Sequence, residues 1–320
     1  MFLVDHPYVS DFLRRTLGEQ DLPLVLTPAA RELGFTETAT TLSESEAIAR
    51  VRQNPDTRIL TSSENAIGWV AENLSFTSLP ATIDLFKNKV KFRELLAPMY
   101  PDLRYRELTP EQALQLDPAE VGHPFVLKPA VGFFSVGVHL VNTPEDWSVV
   151  LPRLQEQLAN PGDLYPAEVL DSSTFIREEI ITGTEYAIDA YFDGEGRPVI
   201  TNILEHLFSS EEDVSDRVYL TGAATVRDNL DRFTHFLTEV GKLAGPRNFP
   251  VHVEVRVDER VFAPAQGGQA AQFAGIARPG RDVLIRHRSP PAARPGRRPP
   301  PPRDIGAGSA ARGRCGSAPT

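Results

Sequence analysis

The sequence predicts an α/β protein in three consecutive pieces: a Rossmann-like parallel α/β layer over residues 1–83, a two-part α+β region over 84–262, and a disordered tail over 263–320. Three observations carry that prediction. Short apolar strands alternate with helical stretches in the first piece, alternating strands flank tight turns in the second, and the composition changes abruptly at Ala263.

Phe2-Leu3-Val4 reads as a strand, and Ser10 to Leu17 as an N-capped helix with apolar residues at helical spacing. Leu22 to Leu26 is a second short strand. Ser43 to Gln53 is a helix with acids in its first turn, and Thr57 to Thr61 the next strand. Ser78 to Thr82 interrupts the pattern before a new helix. This piece holds no Gly-x-Gly-x-x-Gly, which argues against a dinucleotide site.

In the second piece Pro124 to Lys128 and Val136 to Val141 are strands on either side of a glycine-containing loop. Thr143-Pro144-Glu145-Asp146 starts a helix, with Thr143 as its cap and Pro144 in the first position. Glu185 to Phe192 and Pro198 to Leu204 flank Asp193-Gly194-Glu195-Gly196, a hairpin signal. Asn229 to Leu243 is amphipathic, with Leu230, Phe233, Phe236, Leu237 and Val240 on one side. Val251 to Val257 alternates strictly, so that His252, Glu254 and Arg256 share one face of a strand and four valines the other.

Of 320 residues, the last 58 contain 12 Ala, 10 Pro, 10 Arg and 9 Gly, and no Lys, Glu or Asn. The formal charge of −10 therefore conceals a body at −18 and a tail at +8. A body so acidic repels nucleic acid, and the arginines scattered among tail prolines are a weak polyanion site. The single cysteine, Cys315, lies in the tail, so the body has no disulfide framework, thiolate zinc site or cysteine nucleophile. The opening apolar run is cut at Asp5, and no run is long enough to span a bilayer, which fits a cytoplasmic protein.

Arginine outnumbers lysine 28 to 5, and four of the five lysines fall at two places: Lys87, Lys89 and Lys91, and Lys128. A lysine is a compact, mobile charge suited to a phosphate oxygen. Lys128 ends an apolar strand directly before Pro129 to Gly137, whose backbone N–H groups could fold over an anion. Surface lysines near a helix start are the competing explanation for the first group. Further on, Glu178 and Glu185 stand seven residues apart around a turn at Gly183.

In series, Lys89-Val90-Lys91-Phe92-Arg93, Pro124 to Lys128 with its glycine loop, Glu178 to Glu185, and His252-Val253-Glu254-Val255-Arg256 resemble the ATP-grasp superfamily over roughly residues 84–259. The resemblance implies a lid subdomain at about 100–180 and a C-terminal subdomain at about 181–262. It implies that Lys89 and Lys128 hold ATP phosphates, with Lys87 a competitor for the first position. It further implies that Gly132, Ser135 and Gly137 belong to a phosphate-covering loop, that backbone groups of Glu178, Glu179 and Ile180 meet the adenine edge, that Glu185 binds the ribose, and that Glu254 is a magnesium ligand. Family members activate a carboxylate as an acyl phosphate for attack by an amine or other nucleophile, and His206, Arg217 and Arg256 are candidates to orient that carboxylate. Kinase-like transfer to a hydroxyl is disfavoured because no His-Arg-Asp or Asp-Phe-Gly element is present. The expected cofactors are ATP and Mg2+. The expected partner is a small carboxylate, with no nucleic acid and no membrane, and a homodimer is left open.

One part of the pattern is missing. The resemblance calls for a second metal strand with a Glu and an Asn two residues apart, yet from Ala263 onward there is neither. A reading frame shifted near Phe262 would explain both this and the composition break; a natural Pro- and Arg-rich extension is the alternative. Either leaves the fold short of its final strands and predicts impaired ligase turnover or an inactive nucleotide-binding or scaffold protein.

Overall fold

A computed structural model describes residues 1–6, 9–35, 40–61, 63–131, 137–159, 171–181, 183–208 and 218–257. Its first sheet is parallel, in the order β3-β2-β1-β4, built from β1 (Phe2–Leu3), β2 (Leu24–Val25), β3 (Thr41–Leu42) and β4 (Leu60–Thr61). Parallel neighbours need crossovers, and α1 (Asp11–Glu19), α2 (Pro28–Glu32) and α3 (Glu44–Gln53) supply them. Ser10 caps α1 by accepting from the Leu13 N–H, and Leu13 and Leu17 face inward. Ser43 and Glu46 form a reciprocal capping box on α3. The strand expected over 57–61 is confined to 60–61, because Asn54 accepts from Asp56 and Thr57 and folds those residues into a turn.

Two helices follow that the sequence pattern marks poorly, α4 (Ala66–Asn73) and α5 (Leu79–Lys87). The interruption read at 78–82 is in fact the start of α5. Pro80 sits in its first turn, where the missing N–H has no helical partner to lose. Asn88 ends α5 and caps α6 (Lys89–Leu96), its side chain accepting from the N–H groups of Val90 and Lys91.

The middle sheet is antiparallel, in the order β5-β8-β6-β7: β5 (Tyr105–Leu108), β6 (Phe125–Val131), β7 (His139–Val141) and β8 (Asp171–Glu179). Between these strands lie α7 (Pro110–Leu114), α8 (Pro118–Val121) and α9 (Trp147–Ala159). Phe125, Leu127, Val141 and Phe175 pack with Val150 and Leu154 of α9. Each such buried side chain contributes roughly 1.5–3 kcal/mol. The helix start read at Thr143 is a single 3-10 turn, Pro144–Asp146, that leads into α9.

The C-terminal sheet, also antiparallel, runs β11-β10-β9-β12, from β9 (Thr184–Phe192), β10 (Pro198–His206), β11 (Tyr219–Leu220) and β12 (Phe249–Val257). Asp193 closes the β9–β10 hairpin by accepting from the N–H groups of Glu195 and Arg197, with Gly196 at φ +79°. One face of this sheet is apolar: Ile188, Phe192, Ile203, Val251, Val253 and Val255 pack on α10 (Ala223–Ala244), and Phe86 of α5 stands 5.4 Å from Phe249. The buried stripe of α10 contains Phe233, Phe236, Leu237 and Val240 as expected, but Leu230 is 38% exposed and Asn229 takes its place. Among the described residues β12 forms the edge of the sheet. The tail at 263–320 lies outside the described residues.

Candidate functional site

Two clusters of buried charge stand on the two antiparallel sheets. The first joins three elements: Arg93 on α6, Lys128 on β6 and Glu178 on β8. Antiparallel pairing sets Val126 opposite Glu178 and Lys128 opposite Ile176, so Lys128 and Glu178 lie near one another on adjacent strands. The Glu178 carboxylate accepts from Arg93 Nε at 2.9 Å through one oxygen and from Lys128 Nζ through the other. Burial alone would push the Glu178 carboxyl up, but the adjoining Arg93 and Lys128 charges and their hydrogen bonds outweigh it and hold it down to about 2. Two cations thus surround one acid in a dry environment. The terminal nitrogens of Arg93 are buried without a hydrogen-bond partner among the described residues.

The other lysines nearby differ in their commitments. Lys87 is buried and paired with Glu64 at 2.8 Å. Lys89, the first residue of α6, is also buried, and Lys91 is an exposed partner of Asp84. Glu179, at the end of β8, accepts from the Arg104 backbone N–H at 3.0 Å, and half-buried Ile180 follows in the short link to β9. Gly137 has φ +72°, and a Cβ there would collide with the Gln157 side chain. Gly132 and Ser135 lie outside the described residues.

The second cluster occupies the face of the C-terminal sheet opposite its apolar core. Period-two alternation puts Glu185, Ala187 and Asp189 of β9 on that face, and the register sets them against Arg256, Glu254 and His252 of β12. The face read from sequence for His252, Glu254 and Arg256 is therefore the one observed. Glu185 takes Arg256 Nε at 2.7 Å on one oxygen and His206 Nδ1 at 2.7 Å on the other. His206 is stacked on Tyr219, ring centroids 4.3 Å apart. His252 Nδ1 meets Asp189 at 2.7 Å, while its Nε2 is 3.9 Å from Glu254, which also accepts from the Tyr219 hydroxyl at 3.1 Å. Burial disfavours the His252 cation, but the hydrogen bonds and charges of Asp189 and Glu254 prevail and raise it to about 9. His252 is consequently positive at neutral pH. Arg217 lies outside the described residues.

Residues expected at one site thus fall into two groups, Lys128 with Glu178 and Glu185 with His206, Arg256 and, two residues along β12, Glu254. The sequence motifs include Arg93 without marking a role for it, and they do not mark Asp189, Tyr219 or Asn202. Asn202 is opposite Asp189 on β10, and both carry one buried polar atom without a partner among the described residues, Nδ2 and Oδ2. The alternation of β9 marks Asp189, whereas the bulge between Ile200 and Asn202 obscures the face of Asn202.

Residues 121–277 match the family model described as the ATP-grasp domain. The chain carries an ATP-grasp domain. The match leaves α6, with Lys89 and Arg93, ahead of it, and continues past Phe262 through the first part of the Ala- and Gln-containing tail. Solved structures with a similar fold include an L-amino acid ligase from Bacillus licheniformis, with 20% identity and TM-score 0.58 over 81% of this chain and 65% of that one. A biotin carboxylase from Campylobacter jejuni has 14% identity and TM-score 0.54 over 86% of this chain and 64% of that one. An N5-carboxyaminoimidazole synthase from Aspergillus clavatus, solved with ADP, has 16% identity and TM-score 0.51 over 86% of this chain and 69% of that one. This chain spans less than two thirds of the length of the first two. No curated protein matches it in sequence.

The structure offers different fits for the two groups that an ATP-grasp domain suggests. A dry cluster with a surplus cation suits the phosphates of ATP. Magnesium needs several oxygen ligands, and the described residues contain no group of three His, Cys, Asp or Glu placed to hold a metal ion. Glu254 is a single carboxylate that already faces a positive His252. The described residues therefore do not fit a magnesium site. No helix among them is long and apolar enough to cross a membrane.

Proposed function

We propose that this chain binds ATP and descends from, or is, an ATP-dependent ligase that activates a small carboxylate as an acyl phosphate for an amine or other nucleophile. The observation that carries the reading is the cluster at Lys128, where two buried cations share one carboxylate and leave positive charge for an anion. In this reading Lys89 and Lys128 contact phosphates, and Gly132, Ser135 and Gly137 cover them. The backbone groups of Glu178, Glu179 and Ile180 line the adenine edge, and Glu185 the ribose. Glu185 would exchange part of its contact with His206 or Arg256 for a ribose hydroxyl. His206, Arg217 and Arg256 orient the carboxylate, whose oxygen attacks the γ-phosphorus as ADP departs. Glu254 occupies the metal-ligand position of the family pattern, and by itself it does not make a magnesium site.

The lone Glu254 and the absence of Glu and Asn after Ala263 favour a second reading, in which nucleotide is bound and not turned over. A frame shift near Phe262 accounts for that absence. The full chain should bind ADP in calorimetry, and Lys128→Met should weaken it; wild-type protein that ignores ADP overturns the nucleotide reading. ADP release is then measured with mixed carboxylates and amines, for this chain and for one in which the frame after codon 262 is restored. Ligase-rate turnover by both refutes impairment, and turnover by the restored chain alone supports the frame shift.

A further inference from the structure

We infer that Arg93 is a positioning residue that sets the charge of the Lys128 site from a place that no ligand reaches. The inference rests on the proposed role of Lys128 as a phosphate contact. The Arg93 side chain is 0% exposed and that of Glu178 2%, whereas Lys128 retains 11%. Of the two cations on Glu178, only Lys128 has surface to offer.

Lys128 and Glu178 by themselves would form a neutral pair, with the ammonium cancelled at contact distance and little attraction left for a phosphate. Arg93 takes the other carboxylate oxygen, so that the trio carries one net positive charge, expressed at the lysine. The hydrogen bonding of Arg93 shows what it is kept for. An arginine chosen for its fork engages its terminal nitrogens. Here both are buried without partners among the described residues, and the carboxylate is held through Nε alone. Such burial is unfavourable as hydrogen bonding and makes sense as a supply of charge.

Charge supply and structural support predict different behaviour in calorimetric titrations of the full chain with ADP and with adenosine. Arg93→Met should weaken ADP on the order of tenfold while leaving adenosine unchanged, since only the phosphates sense the charge. Arg93→Lys, which loses the fork and keeps the charge, should bind ADP within about threefold of wild type. The double variant Arg93→Met/Glu178→Gln, which restores one net positive charge, should recover ADP binding. If Arg93→Met does not fold, the two charge-preserving variants carry the test alone. Arg93→Lys binding as poorly as Arg93→Met, equal losses for ADP and adenosine, or no recovery in the double variant would each overturn the inference. Lys128→Met binding ADP like wild type would instead remove the reading on which it rests, and the inference with it.

Discussion

On the middle sheet two cations share one carboxylate, while on the C-terminal sheet the carboxylates of Glu185, Asp189 and Glu254 are distributed among Arg256, His206 and His252. The first arrangement has surplus charge and the second has its acids matched by bases within the fold. An anion approaching Lys128 meets a site that already attracts it. A divalent cation approaching Glu254 must compete with a histidine that is positive at neutral pH. The buried charge of the described residues therefore favours an anion beside Lys128 and disfavours a metal held at Glu254 by these residues alone.

The difference should be largest when each central acid is removed. Glu178→Leu leaves Arg93 and Lys128 buried without their counter-ion, and a loss of about 3–5 kcal/mol is expected in urea unfolding. Glu185→Leu should lose only about 1–2 kcal/mol, because Arg256 is 29% exposed, also meets the Ile181 carbonyl and can turn to water, while His206, although buried, can stand as a neutral ring and so leaves no unpaired charge. Equal losses would mean that the two clusters do not differ in dryness, and the comparison would fail.

Acid titration tests the same contrast more gently. The Glu178 carboxyl is held at about 2 in the folded chain against 4.5 for the free side chain. Its stabilisation is thus complete above about pH 5 and lost as the pH falls toward 2, because the unfolded chain takes up the proton first. Glu178→Gln should flatten the fall of unfolding free energy across that window. A variant with the same slope as wild type would show that other carboxyls dominate acid unfolding.

Much of this arrangement was legible because strand alternation is a short-range signal. Lys128 at the end of an apolar strand, and His252, Glu254 and Arg256 on one face, follow from period two alone. Arg93 could be read only with the helical period: it lies four residues after Lys89 on a helix whose buried positions include Val90 and Leu96. Its partner Glu178 is 85 residues away, and no local pattern reports that pairing. The helix at α5 was obscured by Pro80, which breaks a helix interior and favours a helix start. Asn229 replaced Leu230 on the α10 stripe because an asparagine can bond within its own helix, here donating from Nδ2 to the Thr225 carbonyl at 2.7 Å.

The smallest expected effect lies at Asn202, where the matched cluster has a loose end. The Thr221 hydroxyl is 2.8 Å from both Asn202 Oδ1 and the Ile203 carbonyl, yet it has one proton to give. If that proton goes to Ile203, Asn202 Oδ1 receives none; if the amide is reversed, Nδ2 donates to the hydroxyl and Oδ1 is left over. At least one polar atom of Asn202 is unpaired among the described residues in either orientation. Asn202→Leu removes this penalty together with at most one hydrogen bond, and leaves the Thr221–Ile203 bond intact. The change in stability should therefore stay below about 1 kcal/mol in urea unfolding. A loss above about 2 kcal/mol would show that a bound water or ligand completes Asn202 and Asp189, and that the C-terminal sheet face is less self-sufficient than its ion pairs indicate.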